Sequence, residues 1–171
     1  MLFDKLNVKN IEEGIFAVKN FISKDDCKNI VDTLKIEKYS IRKDNIYVYE
    51  VNEKTLFYSN FIENIIKENI SHPLLIKEGG FNCIVKGNGM SKHNDLDGFD
   101  HKRFSKKYGV ILYLNDFEGG EISYPKLNKS YHPSAGDLLI HKSYIEHEVL
   151  EVKSENRYTY TSYLWSKKDV I

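Results

Sequence analysis

His93 and Asp95 stand two residues apart in the stretch GMSKHNDLDGFD, Gly89 to Asp100, where one histidine and three aspartates fall within twelve residues. In an extended segment, residues i and i+2 project to the same side with Cα atoms about 6.6–6.8 Å apart. An imidazole and a carboxylate so placed can converge on one cation. The spacing does not suit a calcium loop, which needs oxygen ligands at positions 1, 3 and 5, a glycine at 6 and an acid at 12. Counted from Asp95, Gly98 falls at position 4 and Lys106 at position 12. A His-x-Asp triplet is common by chance, so a metal site requires a third ligand.

The candidates for that ligand are His101, His132, His141 and His147. His101 lies among Lys102, Arg103, Lys106 and Lys107 and reads as part of a solvated loop. His132 precedes Pro133 in a turn, and His141 ends the run DLLIH as a core or rim histidine. His147 opens HEVLEV, a strand that a jelly roll can bring opposite His93. Two histidines and one carboxylate with open positions make the facial triad of non-haem Fe(II) oxygenases.

An anion site is indicated ten residues further on. RYTYTSYLW alternates, so Arg157, Thr159, Thr161, Tyr163 and Trp165 share one strand face. An arginine pointing into a barrel is costly unless it meets an anion, and its fork matches a carboxylate; the plainer alternative is an ordinary Arg–Glu ion pair at a strand end. In a simple hairpin around KSEN, Arg157 would lie about 17 Å along the strands from His147. The chain is therefore expected to cross to a facing sheet, about 10 Å away, so that a small dicarboxylate can bridge metal and arginine.

These residues need strands to hold them, and the second half of the chain supplies candidates. From Gly79 onward, FNCIVK, GVILYLN, GEISYP, KSYHP, DLLIH, HEVLEV and RYTYTSYLW alternate with turn residues. Short, regular strands of this kind predict a sandwich or jelly roll rather than βαβ units. Ahead of them, FISKDDCKNIVDTLKI predicts a helix capped by Ser23, with Cys27, Ile30, Val31 and Leu34 on one face. TLFYSNFIENIIKENI predicts a second helix with an apolar stripe of Leu56, Ile62, Ile65, Ile66 and Ile70, and NIYVYEV between them predicts a strand. The expected architecture is mainly β with flanking N-terminal helices: a double-stranded β-helix (jelly roll) whose helices pack on one sheet. One domain spanning residues 1–171 is expected, with a helical front over about 1–78 and a jelly-roll core over about 79–166.

Composition narrows the classes. The chain has 171 residues, enough to bury roughly 70% of its unfolded surface. It carries 25 Lys and Arg against 25 Asp and Glu, so no global field favours nucleic acid or an anionic membrane. Cys27 and Cys83 are isolated and read as buried free thiols in a reducing cytoplasm. Acidic residues in MLFDKLNVKNIEEG occupy the place of a signal peptide's apolar core, and no apolar run approaches the roughly 20 residues of a membrane span. A cytoplasmic protein without a membrane partner is expected.

Taken together, HND, YLND, GGE, GDLLIH, HEV and NRYTYTSYLW resemble the 2-oxoglutarate/Fe(II) dioxygenases, specifically their prolyl 4-hydroxylase-like branch. The resemblance runs over about residues 79–165, and FISKDDC is similar to the helix that opens such domains. It implies that His93, Asp95 and His147 bind Fe(II) and that Arg157 pairs with the distal carboxylate of 2-oxoglutarate. It also implies that Tyr113 donates its hydroxyl to that carboxylate, assisted by Thr161, and that Gly119 and Gly120 let a strand start close to the site. The implied reaction is hydroxylation by O2 with decarboxylation of 2-oxoglutarate to succinate, and ascorbate as an accessory reductant. Met90 and Ile84 stand where collagen-type members carry tyrosines, so the cosubstrate pocket is expected to differ from theirs.

The expected substrate is a prolyl residue in a peptide or protein. The segment from Asp95 to Gly109, with Gly98, Phe99, Phe104, Lys102, Arg103, Lys106 and Lys107, reads as a long loop, either suited to holding it or a mobile basic loop with no substrate role. The competing expectations are hydroxylation of a free amino acid or small metabolite, oxidative demethylation of nucleic acid, and a catalytically silent metal-binding jelly roll. The intact set His93, Asp95, His147 and Arg157 argues against the last.

Overall fold

The computed structural model describes residues 8–42, 44–70, 74–96 and 104–167. In chain order its elements are β1 (Val8–Glu12), β2 (Ile15–Val18), α1 (Lys24–Leu34), β3 (Tyr39–Ile41), β4 (Ile46–Tyr49), α2 (Glu53–Asn69), β5 (Leu75–Ile84), β6 (Met90–His93), β7 (Phe104–Tyr113), β8 (Ile122–Tyr124), β9 (Lys129–Tyr131), β10 (Leu138–Lys142), β11 (His147–Val149) and β12 (Arg157–Lys167). They form an eight-stranded sheet, β1-β2-β10-β7-β12-β5-β4-β3, facing a four-stranded sheet, β6-β11-β8-β9. This is the expected jelly roll.

Both helices form where the periodicity places them. Ser23 caps α1 by accepting from the Asp26 backbone N–H at 3.0 Å, and Cys27, Ile30, Val31 and Leu34 are buried. At α2, Asn52 and Thr55 make a reciprocal capping box, so the helix starts two residues before the run TLFYSN. Its buried line passes through Thr55, Ile62 and Ile66, whereas Leu56 is 48% exposed. The expected stripe is corrected at Leu56: one residue past Thr55 turns about 100° around the axis, away from the sheet.

The front of the chain is less helical than expected. Among the described residues, strands β1 to β4 precede β5, and they extend the large sheet at both ends. In β2, Ile15, Ala17 and Val18 are buried and the strand pairs with β10. The expected strand NIYVYEV is β4, which carries the edge hairpin with β3. These strands have 3–5 residues, too few for alternation to declare itself.

Strand alternation sorts the large sheet into two faces. Val110, Leu112, Leu138, Ile140, Tyr158, Tyr160 and Leu164 pack with the two helices. Ile111, Tyr113 and Leu139 face the small sheet, packed with Ile122 and Tyr124 of β8. β12 lies at the centre, paired along its length with β5 and β7. β11 pairs with β6 and β8 in the other sheet. The segment between His147 and Arg157 is therefore a crossover, as anticipated, and not a hairpin. Cys27 and Cys83 are buried free thiols, and among the described residues no helix is long and apolar enough to cross a membrane.

Candidate active site

His93 closes β6 and His147 opens β11, and the two are direct partners in the small sheet. Their ring centroids lie 4.4 Å apart. Asp95 follows β6 in a turn pinned by its backbone N–H, which donates to the Ser143 carbonyl at 2.9 Å. One ligand atom from each of His93, Asp95 and His147 lies within 4.8 Å of the other two. Adjacent strands supply the histidines, and a turn folds the carboxylate over them.

The protons are arranged for a cation. His93 Nδ1 meets the Ser91 carbonyl at 2.8 Å, and His147 Nδ1 meets the Ile145 carbonyl at 2.9 Å. A carbonyl only accepts, so each Nδ1 carries the hydrogen and each Nε2 keeps a free lone pair. Burial, with His141 beside it, pushes His147 down to about 3, which keeps the imidazole neutral near pH 7. For Asp95, burial acts to raise the pKa, but the His141 hydrogen bond and the neighbouring histidines outweigh it and hold the carboxyl below its ordinary value. Two imidazoles oriented by their Nδ1 hydrogen bonds and one carboxylate are a donor set that fits Fe(II).

The triad shares a cavity of about 370 Å³ with Arg157. Arg157 is 3% exposed, and among the described residues its Nε and Nη2 have no hydrogen-bond partner. Its Cζ lies 5.0 Å from the Tyr113 ring centroid and 5.7 Å from that of Phe117. The buried Tyr113 hydroxyl, beside Arg157, likewise has no well-formed hydrogen bond among the described residues. Burial raises Tyr113 to about 12, despite the opposing effect of Arg157, so the phenol remains a donor. Unmet donors around a buried cation fit an anion with several oxygens, and a dicarboxylate has a second end for the metal. Thr161 also lines the cavity, with its hydroxyl accepting from Asn82 Nδ2 at 2.7 Å.

Other expectations are adjusted by the structure. His132 is exposed and pairs with Glu121, while His101 lies outside the described residues. His141 is buried as expected, yet it touches Asp95, with Nε2 2.8 Å from Oδ2. Sequence reasoning passed over this contact because a buried strand histidine gives no sign of what it faces. Asn82 was also missed, although it alternates with Ile84, which lines the same cavity. Met90 lines the cavity with Ile84, so both departures from the collagen-type pattern make its wall apolar. Gly119 and Gly120 adopt φ of 67° and 61° and pack against the β11–β12 crossover, where a Cβ on Gly119 would lie 2.2 Å from the Glu151 carbonyl oxygen.

The long loop expected from Asp95 to Gly109 is corrected, because β7 already begins at Phe104. Lys106 therefore sits on a strand, its Nζ 3.9 Å from the Tyr163 ring centroid. Gly98, Phe99, Lys102 and Arg103 lie outside the described residues.

Residues 79–165 match the family model of the 2OG-Fe(II) oxygenase superfamily. The chain belongs to this family. It is 25% identical to a PKHD-type hydroxylase of Prochlorococcus marinus (strain NATL2A), over 88% of this chain and 78% of that protein. Among solved structures, a Pseudomonas putida prolyl-4-hydroxylase matches with a TM-score of 0.67 at 17% identity, covering 88% of this chain and 91% of that one. The viral collagen prolyl hydroxylase of Paramecium Bursaria Chlorella virus-1, in its 2OG complex, matches with a TM-score of 0.65 at 18% identity, covering 90% and 96%. At these identities the two structures establish a shared fold. As a 2OG-Fe(II) oxygenase, the protein uses Fe(II), 2-oxoglutarate and O2.

Proposed function

We propose that this oxygenase hydroxylates a prolyl residue of a peptide or protein at C4, with residues 1–171 acting as one domain. In this reading His93, Asp95 and His147 hold Fe(II), and Arg157 binds the distal carboxylate of 2-oxoglutarate with Tyr113 and Thr161. The observation that carries the site assignment is the joint presence, around one cavity, of three converging ligand groups and a buried arginine with no carboxylate partner among the described residues. Bound there, iron and 2-oxoglutarate would supply O2 activation coupled to decarboxylation of the cosubstrate to succinate. The chain's own part is to orient both imidazoles through their Nδ1 hydrogen bonds, keep His147 neutral, hold Asp95 ionised, fix the dicarboxylate's orientation and exclude water from the buried arginine.

Support for a prolyl substrate comes from the cavity's lining as well as from the similar hydroxylases. Ile46, Ile84, Met90 and Val149 offer an apolar wall suited to a pyrrolidine ring. Arg42, Asp44, Ser91 and Asn94 add charged and polar groups suited to the flanking amides and side chains of a peptide.

The test is to incubate the protein with Fe(II), 2-oxoglutarate and a panel of proline-containing peptides, free amino acids and methylated oligonucleotides, and to follow the gain of one oxygen by mass. Oxygen incorporation at C4 of a peptidyl proline is expected. Incorporation confined to free amino acids or methylated nucleic acid would replace the peptide reading. Metal binding that survives undiminished in His93→Ala or Asp95→Ala would overturn the ligand assignment.

A further inference from the structure

Across three neighbouring strands of the large sheet, His141 of β10, Gly109 of β7 and Tyr163 of β12 stand in one register row. The middle position has no side chain, and Asp95 fills the notch. A Cβ on Gly109 would lie 2.3 Å from Asp95 Oδ2 and 2.7 Å from His141 Nε2, closer than non-bonded atoms approach. Beside the notch His141 Nε2 meets Oδ2 at 2.8 Å, and the Tyr163 hydroxyl lies 3.5 Å from Oδ1. Both carboxylate oxygens are thus contacted by the sheet that faces the two histidines.

The direction of the His141 bond follows from its partner. An ionised carboxylate only accepts, so Nε2 carries the hydrogen and offers no lone pair to a cation. At the other end of the ring, Nδ1 lies 3.1 Å from the hydroxyl of the fully buried Tyr124. A ring bonded at both nitrogens is fixed in rotation. The ring is itself 1% exposed, and its centroid is 4.3 Å from that of His147. An imidazole this close to the triad yet turned onto Asp95 acts on the carboxylate.

We propose that His141, admitted by Gly109 and anchored by Tyr124, is a positioning residue of the metal centre. By occupying Oδ2 it confines Asp95 to ligation through one oxygen and holds that carboxylate in its binding orientation. The inference rests on the assignment of His93, Asp95 and His147 as ligands.

Titration of the metal-free protein with Co(II), followed by its visible absorption, separates this inference from that assignment. His93→Ala should abolish binding if the triad is correct. His141→Phe should weaken Co(II) binding about 10–100-fold, the usual loss when an outer partner of a metal ligand is removed, and should alter the absorption envelope. His141→Gln, whose amide can donate the same bond, should recover part of the affinity. Gly109→Ala should produce a comparable loss with every polar group intact, and Tyr124→Phe a smaller one. Melting curves of the metal-free variants identify any that fail to fold; Gly109→Ala and His141→Gln carry the test if His141→Phe does. Affinity within twofold of the parent in folded His141→Phe and Gly109→Ala overturns the positioning role. Loss as complete in His141→Phe as in His93→Ala overturns it in favour of direct ligation. Undiminished binding in His93→Ala instead rejects the triad.

Discussion

The Arg157 guanidinium stands 5.0 Å from the centre of the Tyr113 ring, with both residues buried and, among the described residues, no carboxylate to neutralise the arginine. Burial pushes the Arg157 pKa below its ordinary value, the direction expected of a cation kept from water. Such an arrangement is unfavourable alone and is relieved by an anion.

Arg157→Ala should therefore raise the 2-oxoglutarate requirement by at least ~10-fold, since hydrogen bonds to charged groups contribute roughly 1.5–3 kcal/mol. Calorimetric titration of the Co(II)-loaded protein with 2-oxoglutarate checks this. Co(II) affinity itself should be unchanged, because Arg157 touches none of the three candidate ligands. Unaltered 2-oxoglutarate affinity would remove Arg157 from the cosubstrate site.

Tyr113→Phe should behave differently. The lost hydroxyl should weaken 2-oxoglutarate by about 2- to 12-fold, matching the 0.5–1.5 kcal/mol of one ordinary hydrogen bond. The metal-free and cosubstrate-free protein should be as stable as the parent or more so, because the buried hydroxyl makes no well-formed hydrogen bond among the described residues. A thermal melt paired with the titration reads both effects.

The two thiols should be inert in the native protein. Burial pushes Cys27 up to about 12 and Cys83 up to about 11. Iodoacetamide at pH 8 should label neither thiol until denaturant is added. Because both folded pKa values are raised, the stability these thiols contribute is complete below the ordinary thiol pKa. It declines as pH rises above about 8.5 toward the folded values. Mass spectrometry of native and denatured samples, with melts at pH 8 and pH 10, tests both statements.

Packing of α2 gives a fourth prediction. Ile62 is fully buried between helix and sheet, while Leu56 is 48% exposed. Ile62→Ala should lower stability by about 2–5 kcal/mol, as for other large-to-small core changes. Leu56→Ala should stay within about 0.5 kcal/mol of the parent, as surface changes do. Equal losses in urea unfolding would mean that the sheet-facing line of α2 is misplaced.

Much of this molecule is legible in the chain alone. Ser23 and the periodic apolar residues specify α1, because capping and a 3.6-residue stripe are local properties. The long alternating run of β12 announces an inward Arg157, since side chains two apart must share a face. His93 and Asp95 are candidate ligands by spacing, and His147 joins them as a candidate once a second sheet is inferred. The short strands of the front half stay hidden, because 3–5 residues show no period and pairing with the large sheet is what makes them strands.

What tertiary structure decided lies across strands. His141 is separated from Asp95 by 46 positions, and only the pairing of β10 with β7 brings it over Gly109. Gly109 reads locally as a strand residue without a side chain, and its purpose appears only when Asp95 enters the space it leaves. Local spacing and alternation determine which groups point inward, because backbone geometry repeats every two residues in a strand. Which inward groups meet depends on register between distant strands, set by the combined packing of both sheets and both helices, which no short stretch of the sequence contains.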